Sequence, residues 1–339
     1  MKKFRVLVLM HHYMVPPDDI AGQNPKTAIW RTEYDVLRTL RKLRHDVLPL
    51  AVHDDLGVIR DAVDSFRPHI AFNLLEAFHE IGSFDQNVVS YLELLRLPYT
   101  GCNPRGLFLA RDKALSKNLL HYHRIRVPDF MLVRRGRKAR MVKRLSFPLI
   151  VKSLTQEASI GISQASVVED EQRLVERVQF IHDSIGTDAI VEEYVDGREL
   201  YCGVIGNHRL EPLPVWEMFW ENLPERRYRI ATERVKWSPK YQEKVGIMTG
   251  AAEISEELEA KVQHIARRVY RILELSGYAR IDFRLDREGR LYVLEANPNP
   301  QIADGEDFAR SADVAGISYP QLLQRILTTG LRWDPARRG

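Results

Sequence analysis

The sequence predicts an amino-terminal α/β domain with a parallel sheet, followed by an α+β region of one or two further subdomains. Three observations carry that reading. Strand and helix patterns alternate over the first hundred residues, which implies parallel pairing through crossover helices. The Gly-, Pro- and Asn-rich stretch YTGCNPRG then breaks the alternation. Beyond it strands cluster, and a late hairpin carries one polar face. At 339 residues the chain is long for a single core, so two or three subdomains are expected. The expected boundaries are 1–104, 105–193 and 194–335.

FRVLVLM reads as a buried first strand, and PKTAIWRTEYDVLRTLRKLRH has helical spacing at Ile29, Tyr34, Val36, Leu37 and Leu40. DVLPLAV is the second strand, LGVIRDAVDSFRP the second helix, HIAFNLL the third strand and QNVVSYLELLRL the third helix. After the break, GLFLARDKALSKNLLHYHRI reads as one helix ending at RVPDF. FPLIVKS is a strand, LTQEASIGISQA a loop, DEQRLVERVQFIHDSI a helix and DAIVEEYV a strand. The last section holds RELYCGVIG, the loop RYRIATERVKWSPKYQ, the helix SEELEAKVQHIARRVYRILEL and the hairpin.

Composition is that of a globular protein, with 45% hydrophobic and 28% charged residues and no low-complexity tract. Cys102 and Cys202 alone imply no disulfide framework, and a reducing cytosol fits them. MKKFRVLVLM has too short an apolar run for a secretory signal, and no stretch reaches the length of a membrane span. A cytoplasmic protein without a membrane partner is expected. The net charge of +4 sits in RRGRKARMVKRL (Arg134–Leu145), with seven basic and no acidic residues, so the rest of the chain is net acidic. That segment has no interleaved aromatics for base stacking, and nucleic acid is not expected as a partner. It is either a solvated loop or an anion-attracting rim near a phosphate site.

The hairpin RIDFRLDREGRLYVLEANPNP runs from Arg280 to Pro300. Side chains alternate across a strand, so Ile281, Phe283 and Leu285 share one face and Arg280 and Asp282 the other. On the return strand Leu291, Val293, Glu295 and Asn297 alternate with Tyr292, Leu294 and Ala296. With the turn centred near Arg287 and Glu288, Glu295 is expected opposite Arg280, with Asp282 diagonal to it. Three oxygen ligands and a guanidinium would then converge, and oxygen-only ligands suit a hard cation such as Mg²⁺. The hairpin alone equally describes a wet outer face with an Arg–Glu pair.

Four motifs follow one another: DKALSK, FPLIVK…EASIGIS, IVEEYVDGREL and ARIDFRLD…LEANPNP. With YTG before them and GISYPQLLQRIL after them, the ordered set resembles the ATP-grasp superfamily, closest to its D-alanine–D-alanine ligase branch. The resemblance runs from about Tyr99 to Leu327. It implies a preATP-grasp domain followed by two subdomains that sandwich ATP. It also implies a ligase forming C–N bonds: the γ-phosphate passes to a carboxylate, an amine displaces phosphate, and ADP and phosphate leave. Two Mg²⁺ ions, for which Mn²⁺ can stand in, small-molecule carboxylate and amine substrates, and a homodimer belong to the same implication.

Residue by residue, the resemblance makes Lys152 and Lys117 phosphate contacts and leaves Lys113 structural. Gly161, with Ala158 and Ser159, belongs to a loop closing over phosphates, and Ser159 is placed in the catalytic set. Glu192 accepts from the adenine amino group, backbone at Tyr194 and Val195 pairs with the ring edge, and Glu199 bonds the ribose. Asp282, Glu295 and Asn297 hold metal, Arg280 stabilises the oxyanion, and Lys236 in RVKW reaches the γ-phosphate. Without the motifs the lysines would read as snorkelling surface residues, and VEEYVDGRE as an acidic turn.

The pattern breaks on the substrate side. NPNPQIADGEDF carries Gln301 and Glu306 where the ligases have a Gly- and Ser-bearing turn that binds the acceptor carboxylate. A bare anion there would repel that carboxylate. Ala158 takes the place of a substrate-side serine, HHYMVPPDDIAGQ lacks a Ser-x-Glu signature, and NLLEAFHEIGSFDQ replaces a His-Gly segment. The expectation is a ligase with a different amino-acid or peptide substrate. An ATP-grasp small-molecule kinase and a true D-alanine–D-alanine ligase are the alternatives.

Overall fold

The computed structural model describes residues 2–17, 19–20, 22–141, 143–156, 159–222, 224, 227–232, 241 and 245–336. The chain opens with β1 (Arg5–His11), α1 (Arg31–Lys42), β2 (Asp46–Val52), α2 (Gly57–Phe66), β3 (Ile70–Asn73) and α3 (Asp85–Leu94). The strands form a parallel sheet in the order β2-β1-β3, and Tyr99 extends it by a parallel bridge to Ala71. Val6 through Met10 are wholly buried, as a central strand covered on both faces requires. Their alternation divides them between two cores. Leu7 and Leu9 join one, while Val6, Val8 and Met10 pack with Ile205, Tyr278 and Phe308 of the carboxyl-terminal half.

One helix expected after the break is two, α4 (Pro104–Arg111) and α5 (Lys113–Tyr122). Asp112 separates them in an extended conformation (φ −79°, ψ 100°), and its carboxylate accepts from the Leu115 N–H at 2.9 Å. An aspartate that caps the second helix cannot also continue the first. Next come β4 (Phe130–Val133), β5 (Leu149–Ser153), β6 (Val167–Val168), α6 (Glu171–Phe180) and β7 (Ala189–Glu193). They form an antiparallel sheet in the order β4-β7-β5-β6, with its own core of Val151, Val191, Leu174, Val178 and Ile181.

The final unit contains β8 (Gly197–Ile205), β9 (Glu211–Pro212), β10 (Trp216–Trp220), β11 (Ile247–Ala251), α7 (Glu256–Ile272), β12 (Tyr278–Asp286), β13 (Leu291–Pro298), α8 (Asp307–Val314) and α9 (Tyr319–Leu331). Its antiparallel sheet runs β11-β10-β8-β12-β13, with β9 attached to β8. Strands β4, β6, β9, β10 and β11 have no counterpart in the sequence reading. They are short, and none shows a long apolar alternation.

The hairpin register also differs from the expected one. Asp282 pairs with Glu295 and Arg280 with Asn297, whereas Phe283 pairs with Val293. Leu294 is therefore an extra residue, a β-bulge, whereas the turn lies where expected: Gly289 N–H donates to the Asp286 carbonyl across Arg287 and Glu288, with Gly289 at φ 76°. The bulge lets Leu291 and Val293 face the core while Glu295 and Asn297 face the opposite side. Strict alternation would have put all four on one face. Among the described residues, no helix is long and apolar enough to cross a membrane. Cys102 and Cys202 are buried free thiols.

Candidate active site

The polar face of the carboxyl-terminal sheet is assembled from strand register. Across β8 and β12, Tyr201 pairs with Asp282 and Glu199 with Arg284, so these side chains share a face with Arg280, Glu295 and Asn297. Arg280 donates to both Asp282 oxygens, at 2.7 and 2.8 Å, and its guanidinium lies 4.7 Å from the Tyr201 ring centroid. Burial works against the Arg280 charge, but the Asp282 carboxylate outweighs it and raises the pKa. Asn297 Nδ2 donates to Asp282 Oδ2 at 3.0 Å. Asp282, Glu295 and Asn297 thus form an oxygen-donor set on adjacent strand positions, which suits a hard divalent cation.

The facing wall comes from the central unit. Ile150 on β5 pairs with Glu192 on β7, so Lys152, two residues on, projects from the same face as Glu192. Lys152 Nζ lies 3.0 Å from Glu192 Oε2, and Lys117 Nζ, from α5, lies 3.4 Å from Glu192 Oε1. Lys117 also donates to the carbonyl of Leu294 at 2.7 Å. The carbonyl at the bulge is thereby used to anchor a lysine beside Glu295. Burial lowers the Lys117 pKa despite Glu192. In Lys152 burial is outweighed by Glu192 and Glu295, and the pKa is raised. For Glu192 burial opposes ionisation, but the two lysines prevail and hold its pKa low. Both lysines therefore feel the charge of Glu295, and the two walls border one space.

Lys113 donates instead to the Gln156 carbonyl at 2.6 Å, pinning the loop after β5. In that loop Ser159 has φ +61° and its carbonyl accepts from Ile162 N–H, at 2.9 Å. Gly161 has φ +72°, and a Cβ there would come within 2.9 Å of the Ile185 side chain, so both conformation and space call for glycine. Ala158 and Lys236 lie outside the described residues. Tyr194 N–H donates to the Pro148 carbonyl, which removes it as a donor to a base edge; Val195 follows directly.

Sequence reasoning missed Arg284. It is buried, and it donates to the Gly197 carbonyl at 2.9 Å, to Glu199 Oε2 at 2.7 Å and to the Arg229 carbonyl. Tyr201 OH donates to the other Glu199 oxygen at 2.8 Å. The only sequence signal was parity, since Arg284 continues the series Arg280, Asp282 along β12. Residues 227–232 cross between the halves: Tyr228 N–H donates to Gln164 Oε1 and Gln164 Nε2 to the Tyr228 carbonyl, each at 3.0 Å.

One expectation needs correcting. Glu306 does not stand as a bare anion. Arg31, at the start of α1, donates to its Oε1 and to the Asp304 carbonyl. Sequence separation hid this pair, and a repulsion argument built on an isolated Glu306 charge does not hold.

The family model described as D-ala D-ala ligase C-terminus matches residues 113–328. The chain belongs to the D-alanine–D-alanine ligase family. As an ATP-grasp C–N ligase it is similar to the D-alanine–D-alanine ligase of Desulfotalea psychrophila, 31% identical over 83% of this chain and 84% of that one. It is 33% identical to an uncharacterized protein of Sinorhizobium fredii, over 78% of this chain and 75% of the relative. Among solved structures, the D-alanine–D-alanine ligase of Bacillus anthracis complexed with ATP superposes with a TM-score of 0.75 at 25% identity, covering 98% of each chain.

Proposed function

We propose that this ligase joins a carboxylate to an amine through an acyl phosphate, releasing ADP and phosphate, and that its acceptor is not D-alanine. The observation that supports the first part is the Lys117–Glu192–Lys152 cluster, tied through Leu294 to the strand bearing Glu295 and Asn297. In this reading the lysines hold the nucleotide phosphates, Glu192 and the backbone at Val195 meet the adenine, and Glu199, steadied by Arg284 and Tyr201, meets the ribose. Asp282, Glu295 and Asn297 would hold Mg²⁺, which when bound neutralises charge on the β- and γ-phosphates. Arg280, its charge secured by Asp282, is aimed at the oxyanion that develops when the amine attacks.

What supports a different acceptor is the end of the site where Arg31 and Glu306 already satisfy one another. An incoming carboxylate would have to compete with Glu306 for that guanidinium. An acceptor whose own carboxylate is amidated or distant has no such contest. A kinase would stop at the phosphorylated substrate, so an amine-linked product separates the two activities.

The test is ADP release with Mg-ATP over a panel of carboxylate and amine pairs, D-alanine alone included. Glu295→Gln is expected to cut turnover by about a hundredfold or more, the scale of one lost transition-state electrostatic contact, with the far-UV spectrum unchanged. Undiminished turnover in the folded variant would remove the metal assignment. Robust D-alanyl-D-alanine formation would remove the acceptor assignment and leave the nucleotide site standing.

A further inference from the structure

The two segments that depart from the family pattern near the amino terminus meet in space. β1 ends at His11 and His12 follows it, His53 directly follows β2, and Glu80 lies in the turn beyond β3. All four stand at the carboxyl-terminal edge of the parallel sheet, the edge at which open α/β sheets bind ligands. We propose that His11, His12, His53 and Glu80 form a site for a borderline divalent cation of the Zn²⁺ class, separate from the oxygen-only set of Asp282, Glu295 and Asn297.

Ligand atoms of His11, His12 and Glu80 all lie within 4.8 Å of one another. Glu80 Oε1 sits 3.4 Å from His11 Nε2 and 3.3 Å from His53 Nε2. A tetrahedral ion with bonds of about 2.0–2.1 Å separates its ligands by about 3.3–3.4 Å, so the two Glu80 distances match edges of such a site; His11, His12 and Glu80 are its close set, and His53 joins it through Glu80. His11 is 5% exposed, and neither ring nitrogen has a hydrogen-bond partner among the described residues. A buried imidazole without a hydrogen bond at either nitrogen is costly, and a cation held between Nε2 and the Glu80 carboxylate would answer it.

The surroundings hold the ligands in place. His53 Nδ1 lies 3.3 Å from Asp54 Oδ2, the carboxylate–histidine relation that fixes a tautomer and turns Nε2 towards a metal. The His12 and His53 rings meet edge-on with centroids 4.3 Å apart. His79 and Glu80 both have positive φ, 54° and 58°, in a two-residue turn closed by pairing of Phe78 with Ile81. Such turns favour Asn-Gly, and here the backbone strain swings Glu80 over the imidazoles. Imidazoles with one carboxylate select Zn²⁺, Co²⁺ or Ni²⁺ over Mg²⁺.

The experiment uses the full chain without a histidine tag, stripped with chelator and titrated with Co²⁺ in excess Mg²⁺, read by visible absorption and calorimetry. One Co²⁺ per chain is expected, with the intense band of a tetrahedral site and displacement by Zn²⁺. His53→Ala and Glu80→Gln lie on the surface side and should each weaken binding at least about tenfold, as should loss of the orienting carboxylate in Asp54→Asn. Glu295→Gln should leave the Co²⁺ titration unchanged, so the result does not depend on the nucleotide site. Absence of a bound Co²⁺, or equal affinity in folded His53→Ala and Glu80→Gln proteins, would overturn the proposal.

Discussion

At the scale of single residues, burial and partner decide which lysine matters. Lys113 and Lys117 lie one helical turn apart and both are buried, yet Lys113 ends on the Gln156 carbonyl and Lys117 on Glu192 and Leu294. Lys117→Ala should weaken Mg-ATP binding by roughly 1.5–3 kcal/mol, the worth of a charge-assisted contact. Lys113→Ala should do much less, and equal losses by calorimetry would reverse the assignment. Glu33, on α1, gives a second prediction. Burial pushes its carboxyl up to about 7, partly offset by a backbone N–H, with Glu76 adding to the rise. A raised carboxyl pKa favours the folded state fully below the unfolded value and loses that contribution as pH rises through about 7. Glu33→Gln should therefore stabilise the protein at pH 8 by about 2–3 kcal/mol and leave stability near pH 4 unchanged, in denaturant unfolding. A pH-independent effect would mean Glu33 is not buried in its charged form.

Among the elements, α5 and β13 carry the site, and each shows where sequence patterns run out. The break at Asp112 was visible as the aspartate that opens DKALSK, but helical spacing ran through it and hid the cap. Asp112→Ala should cost about 1 kcal/mol of stability, with Asp112→Asn restoring most of it, because either side chain can accept from Leu115 N–H. An Asp112→Ala protein as stable as the parent would show that packing alone sets the helix start. In β13 the polar residues were legible and their partners were not. The apolar positions change parity, from Leu291 and Val293 to Ala296, and that change is the one trace the bulge leaves in the sequence. Registers move with a single extra residue, so alternation could mark the face but not the pairing.

Over the whole molecule, the ordered motifs made the fold legible, because each lies on a separate strand or helix that must reach one cleft. Contacts across the sequence were not legible. Arg284 meets Glu199 from 85 residues away, Arg31 meets Glu306 from 275, and three histidines from the ends of two strands converge with Glu80 from beyond a third. The amino-terminal sheet shares a core with the carboxyl-terminal half, whereas the central unit has a core of its own. Ile150, Val167 and Ile230 join that unit to the rest, with Tyr228 and Gln164 beside them. The central claim is that lysines of one wall and carboxylates of the other hold a single Mg-nucleotide. ATP-binding calorimetry with and without Mg²⁺, on the parent, Lys152→Ala and Glu295→Gln proteins, tests it most directly. Lys152→Ala should weaken binding about tenfold or more in either condition, and Glu295→Gln should abolish the gain that Mg²⁺ confers on the parent. Parent-like affinity in Lys152→Ala, together with an intact Mg²⁺ effect in Glu295→Gln, would contradict it.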